Sequence, residues 1–204
     1  MSLKIGIAGA HSTGKSQFLA HLRPLLEARG YRVTTTASIA AEAAGLGFPI
    51  LSRHTFESTA WIMARGMQLE LEGARTHDVV LVDRPLPDAL GYYRAALAYR
   101  KEQALPWQRE HLESCVKTFA PTYQLLIRTV LDEARPIDQS KPRDHDERFR
   151  RLAAQEIEAV FNEFALRSVE LTTTNVDDVL GLAIGTVDTA CAPLTVPPVA
   201  AFSN

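Results

Sequence analysis

Cysteine is nearly absent. The 204 residues contain only Cys115 and Cys191, whose separation is not that of a metal-ligand pair, so two reduced thiols of a cytosolic protein are expected. Long apolar runs are missing too: nothing approaches the roughly 20 residues of a membrane span. The short stretch Ile5-Gly6-Ile7-Ala8-Gly9 has no signal-peptide flanks, so a cytoplasmic protein with no membrane partner is expected. Nor does one sign of charge dominate. A formal net charge of -2 gives no whole-molecule attraction to nucleic acid or anionic lipid, and only a local basic patch remains open. There is no internal repeat. With 46% hydrophobic and 23% charged residues, the chain has the composition of an ordinary soluble enzyme. Its length suits one domain, assigned to residues 1–190, with a core that needs neither disulfides nor structural metal. Residues 191–204 are read as a loosely ordered tail: positions 192–204 carry no charged side chain and three prolines.

What is present is an alternation of short apolar strands and amphipathic helices. Leu3 to Ala8 reads as a buried strand running into a glycine turn. Phe18, Leu19, Leu22, Leu25 and Leu26 then recur at helical spacing from Lys15 to Arg29, with Pro24 as a kink or stop. Further strands are expected at Tyr31–Thr35, Asp78–Asp83, Tyr123–Ile127 and Ser168–Leu171. Val79-Val80-Leu81-Val82 lacks alternation, as a central strand covered on both faces should. Helices are expected over Ile39–Ala44, Phe56–Arg75, Ala89–Lys101, Trp107–Phe119, around Phe149–Phe164, and from Asn175 or Asp177 to about Val187. The implied fold is α/β, a five-stranded parallel sheet with helices on both faces in three layers.

The segment Gly9-Ala10-His11-Ser12-Thr13-Gly14-Lys15-Ser16 fits the pattern G-x-x-x-x-G-K-[ST] and sits between strand and helix, where that pattern needs to be. Glycines let backbone N–H groups turn toward phosphate oxygens, and the helix that follows aims the positive end of its dipole at the same anion. The expected nucleotide-binding residues are therefore Gly9, His11, Ser12, Thr13, Gly14, Lys15 and Ser16. Lys15 is expected at the β- and γ-phosphates and Ser16 on magnesium. His11 is read as pointing to solvent, because such a loop works through its backbone. Asp83, ending the buried strand, is the second candidate magnesium ligand, or a base for the attacking hydroxyl; a carboxylate that merely caps the Pro85-Leu86-Pro87 turn is the alternative.

These motifs, with Asp83-Arg84 and a late arginine-rich stretch, resemble the P-loop nucleoside and nucleotide kinases, particularly the branch with bacterial nicotinamide riboside kinase domains and related small ATPase/kinase domains. The resemblance implies ATP and Mg2+ as cofactors and a small-molecule phosphoryl acceptor as partner. It also implies that Arg84 serves the acceptor's anionic group and that a lid lies around residues 129–150. Lid closure would bring arginines to the transferring phosphoryl group, Arg143 and Arg148 first, with Arg135, Arg150 and Arg151 as alternatives. Tyr92 and Tyr93 are read either as core or as a border of the acceptor pocket, and Gln68 and Glu72 as a solvated helix face. One departure from the family is that Thr36-Ala37-Ser38-Ile39-Ala40 stands where relatives carry an acidic-basic pair for the acceptor.

Three functions fit: a small-molecule kinase, a nucleotide-dependent switch or ATPase working through a partner, and a nucleic-acid end kinase. No Asn-Lys-x-Asp or Leu-Ser-Gly-Gly sequence supports a GTPase or a transporter ATPase. The charge balance counts against extended nucleic-acid binding. A homodimer is compatible with the sequence.

Overall fold

The computed structural model describes residues 2–36, 39–134 and 146–191. Five strands form one parallel sheet: β1 (Leu3–Ala8), β2 (Val33–Thr36), β3 (Val79–Asp83), β4 (Leu125–Thr129) and β5 (Val169–Leu171), in the order β2-β3-β1-β4-β5. Their carboxyl ends all lie on one side, and β1, which runs into the glycine loop, is central. Parallel neighbours require long crossovers, and helices supply them: α1 (Lys15–Glu27), α2 (Ile39–Gly45), α3 (Phe56–Thr76), α4 (Leu86–Arg100), α5 (Pro106–Phe119), α6 (Glu147–Glu163) and α7 (Val176–Cys191).

Two apolar layers cover the sheet. Leu3, Ile5, Ile7, Val79 and Leu81 pack against Phe18, Leu22 and Leu26 of α1 and Val179, Ala183 and Val187 of α7. On the opposite face Val80, Val82 and Leu126 meet Tyr92 and Ala96 of α4 and Phe149, Ala153 and Ile157 of α6. Successive residues of β3 thus point to different layers, both dry, which is why its sequence shows no polar alternation. The expectation of a five-stranded parallel sheet between two helical layers is met.

The boundaries moved where polar contacts decide them. The expected strand at Tyr31 begins at Val33, because the carbonyl of Arg32 accepts from the backbone N–H groups of Asp78 and Val79 while its guanidinium grips the Asp78 carboxylate. The strand expected at Tyr123–Ile127 lies two residues later. Ala120–Thr122 forms a short 3-10 turn, and Tyr123 turns its hydroxyl onto buried Glu70, 2.8 Å away. Lys4 completes that group, 3.2 Å from Glu70 and over the ring of Phe119. Pro24 lies inside α1, and Leu25, counted in its apolar stripe, is 38% exposed. Helix α4 starts three residues before the expected Ala89, since Pro87 falls in its first turn, where a missing N–H costs nothing. Asn175 does not cap α7 by its side chain, which bonds Thr172 N and Glu170 O instead. Cys115 and Cys191 are both free.

Candidate functional site

The loop between β1 and α1 is shaped by left-handed backbone at three points: Gly9 at φ 139, Ser12 at φ 59 and Gly14 at φ 93. Gly9 has a second constraint. A Cβ there would lie 1.9 Å from the Thr129 hydroxyl, at the end of β4. Thr129 also bonds the Thr13 hydroxyl at 2.6 Å and the Ala8 carbonyl at 3.2 Å, so the loop rests against the neighbouring strand end. Gly14 precedes α1 without a side-chain cap, and the first turn carries no acid. Its N–H groups therefore face a region suited to an anion. Lys15 folds over the loop, where its ammonium donates to the Ala10 carbonyl and to the Thr13 hydroxyl.

Asp83 comes to the same place from β3. Its Oδ2 accepts from the Ser16 hydroxyl at 3.0 Å, while Oδ1 is buried with no hydrogen-bond partner among the described residues. A hydroxyl beside a carboxylate with an unspent buried oxygen is an oxygen donor set that fits a hard divalent cation, and the orphaned Oδ1 is a site where such an ion would satisfy a desolvated acceptor.

Arg84 follows at φ 70, which turns its side chain back over α4. The guanidinium is 2.8 Å from Asp88 and 4.6 Å from the centre of the Tyr92 ring. Asp88, which the sequence reading passed over, is 1% exposed and accepts the Gly9 N–H at 2.7 Å. Its one sequence signal is its position four residues after Arg84, in the first turn of the helix that follows.

His11 corrects the expectation of a solvent-facing ring. It is 1% exposed, with Nδ1 3.3 Å from the Tyr92 hydroxyl and its ring stacked 6.4 Å from Phe149. Tyr92 and Tyr93 are both buried, Tyr92 beneath the loop and Tyr93 in the apolar cluster with Leu112 and Val116 of α5. Gln68 and Glu72 bond each other on an exposed face.

The late arginines separate. Arg143 and Arg135 lie outside the described residues, as does half of the expected lid. Arg148 is exposed and sits over Tyr99. Arg150 is wholly buried and reaches the Ser12 carbonyl at 3.4 Å. Asp146 fixes the start of α6 by accepting from the N–H groups of Arg148 and Phe149. The helix then turns Arg150, two positions on from Arg148, toward the loop.

His54, just before α3, packs edge-on to Tyr92. Burial, with the charges of Arg84 and Arg100, lowers its pKa from 6.5 to about 4. The neutral ring is thus favoured in the folded state, and the stabilisation is present above pH 6.5 and lost as pH falls toward 4. The shift corresponds to roughly 3 kcal/mol. Unfolding free energies from pH 7 to 4 should show wild type losing about that much relative to His54→Gln; parallel curves would disprove the assignment.

Among the described residues no helix is long and apolar enough to cross a membrane. No curated protein matches the chain in sequence. Among solved structures it is similar to the NadR protein in complex with NR, with a TM-score of 0.62, 17% identity and 94% of this chain covered. The chain spans about half of that protein's length, 51%. It is also similar to thymidylate kinase from Candida albicans, with a TM-score of 0.63, 13% identity, and 93% of this chain and 92% of that one covered. At these identities the likeness is one of fold, that of the P-loop nucleotide kinases. A family model described as AAA domain matches residues 4–178, most of the chain and every described element of the site, and the protein belongs to that family.

Proposed function

We propose that the protein is a phosphotransferase that moves the γ-phosphoryl group of ATP to a hydroxyl or phosphate of a nucleoside, a nucleotide or a similar small metabolite. The observation that carries this reading is the 3.0 Å contact between Ser16 and Asp83, with the second Asp83 oxygen buried and unspent. It joins the phosphate loop to an acid on the adjacent strand, at the carboxyl edge of the sheet where open α/β folds bind ligands. The kinase fold of the two similar structures, from a NadR protein and a thymidylate kinase, supports it.

In this reading the loop amides that follow Gly9, through Gly14, and the start of α1 hold the β- and γ-phosphates. Lys15 leaves the Ala10 carbonyl to bond them. Ser16 and Asp83 would hold Mg2+, which when bound offsets charge on the phosphate oxygens. The acceptor oxygen forms the new bond to the γ-phosphorus as the bond to the bridging oxygen breaks, and ADP departs with that electron pair. For a hydroxyl acceptor, the proton passes to solvent water where Asp83 holds the ion, or to the Asp83 carboxylate where Ser16 holds it without Asp83. Arg150, already against Ser12, is a better placed cation for the transferring group than Arg148.

The test is a panel of nucleosides, nucleotides, sugars and oligonucleotide ends offered with MgATP. Acceptor-dependent ADP formation matched by phosphorylated product supports the kinase. Phosphate release indifferent to every acceptor would make the protein an ATPase or switch. Asp83→Asn should reduce turnover at least tenfold while changing ATP affinity much less; unaltered turnover removes Asp83 from the chemistry.

A further inference from the structure

A closed path of contacts leaves the phosphate loop at Gly9 and returns to it at His11. The Gly9 N–H donates to Asp88 Oδ1 at 2.7 Å, and Asp88 Oδ2 accepts from Arg84 at 2.8 Å. The Arg84 guanidinium lies on the Tyr92 ring, and the Tyr92 hydroxyl meets His11 Nδ1. Arg84 Nη1 also stands 3.4 Å from the Gly9 carbonyl. The N–H and the carbonyl of Gly9 are thus both tied, one to Asp88 in the first turn of α4 and the other to Arg84 just before it.

A buried carboxylate directly beneath an anion site calls for a reason. Left alone it would repel phosphate and would bear an uncompensated desolvation cost. Arg84 removes both objections, because it neutralises the carboxylate and is held to it by geometry as well as charge. Apolar packing could fill the same space without that cost. What a carboxylate supplies and a hydrocarbon cannot is a directional acceptor for one backbone N–H, at a glycine whose φ of 139 would otherwise be free to vary.

We infer that Asp88 is the positioning residue of the phosphate loop and that Arg84 is its counter-ion, committed to this task rather than to the acceptor. Asp88 sets the direction of the Gly9 peptide and hence the aim of the amides that follow. Because Arg84 adjoins Asp83, a displacement at the carboxyl end of β3 is passed to Gly9 through the Asp88 carboxylate as well as through the direct contact of Arg84 with the Gly9 carbonyl. The inference rests on the reading that residues 9–16 bind nucleotide phosphates.

Titration calorimetry with MgADP on the full chain tests it, since it separates Kd from the fraction of protein able to bind. Asp88→Asn should raise Kd about tenfold with stoichiometry near one, and should speed hydrogen exchange at the Gly9 amide. A merely structural role would lower the stoichiometry or Tm and leave Kd alone. Arg84→Met, which leaves the carboxylate unpaired beneath the phosphates, should raise Kd further, and the Arg84→Met/Asp88→Asn pair should recover part of that loss. Wild-type Kd and Gly9 exchange in Asp88→Asn, or losses that multiply in the double variant, overturn the inference. If Asp88→Asn does not fold, a wild-type Kd in Arg84→Met overturns it alone. Lys15→Ala separates the two readings. If it abolishes binding while Asp88→Asn keeps the wild-type Kd, only the role of Asp88 falls; if wild type binds neither MgADP nor MgATP, both fall.

Discussion

Replacing Lys15 with alanine is expected to lower ATP turnover about 100-fold or more, the scale for loss of one preorganised cation or donor at a developing anion, roughly 3 kcal/mol. The same change should cost little stability. Lys15 contributes a buried stem and bonds to the Ala10 carbonyl and Thr13 hydroxyl, and the loop is held independently by Thr129 and Asp88. Activity should therefore collapse while Tm stays near its wild-type value. Turnover measured beside a thermal melt distinguishes this from misfolding, and a variant with wild-type turnover would mean that the glycine loop does not bind phosphates.

At neutral pH a loss of stability is expected from adding one methyl group at Gly91. A Cβ there would lie 2.5 Å from Cγ1 of Ile157 and only 2.7 and 2.9 Å from its Cα and backbone N. The first of these atoms could rotate away; the other two could not. Helices α4 and α6 would have to separate, at an overpacking cost of about 1–3 kcal/mol, against which alanine's helix propensity returns about 1 kcal/mol. Gly91→Ala should therefore lower the unfolding free energy by about 1 kcal/mol, or Tm by a few degrees. The control is in the same protein. Gly181 and Gly185 of α7 have nothing within 4 Å of an added Cβ, so alanine there should be neutral or stabilising. Equal effects at all three positions in denaturant melts would show that propensity, not the contact with Ile157, governs the response.

The contrast between what was readable and what was not follows the range of the interactions. Val79-Val80-Leu81-Val82 and the glycine loop carry their meaning in neighbouring residues: a strand buried on both faces has no polar alternation, and a phosphate loop needs its glycines and lysine at fixed spacing. His11 does not. A histidine among small polar residues looks solvent-exposed until Tyr92 and Phe149 arrive from α4 and α6 to cover it. Asp88 reads as an ordinary acid in a first helical turn, and only the fold places Gly9 above it. Tyr123 reads as a strand residue by its apolar ring, whereas its hydroxyl answers to Glu70. The Asp83–Ser16 contact lies between these cases. Both residues are conspicuous in sequence, but their meeting depends on β1 and β3 lying side by side, in register from Leu3 opposite Val79 to Ile7 opposite Asp83.

That central place of β1 has a consequence for the order in which the protein is made. Its partners on either side are β3 and β4, with Ile5 beside both Leu81 and Leu125. The strand at the very start of the described chain thus waits for segments far along it, and such non-local pairing is slow to form. A ribosome-bound chain ending before Thr129 would display the whole glycine motif yet lack the strand end against which Gly9 rests. Nucleotide capture should begin only once that residue has emerged, so ATP would reward completed synthesis of the sheet and not its first turn.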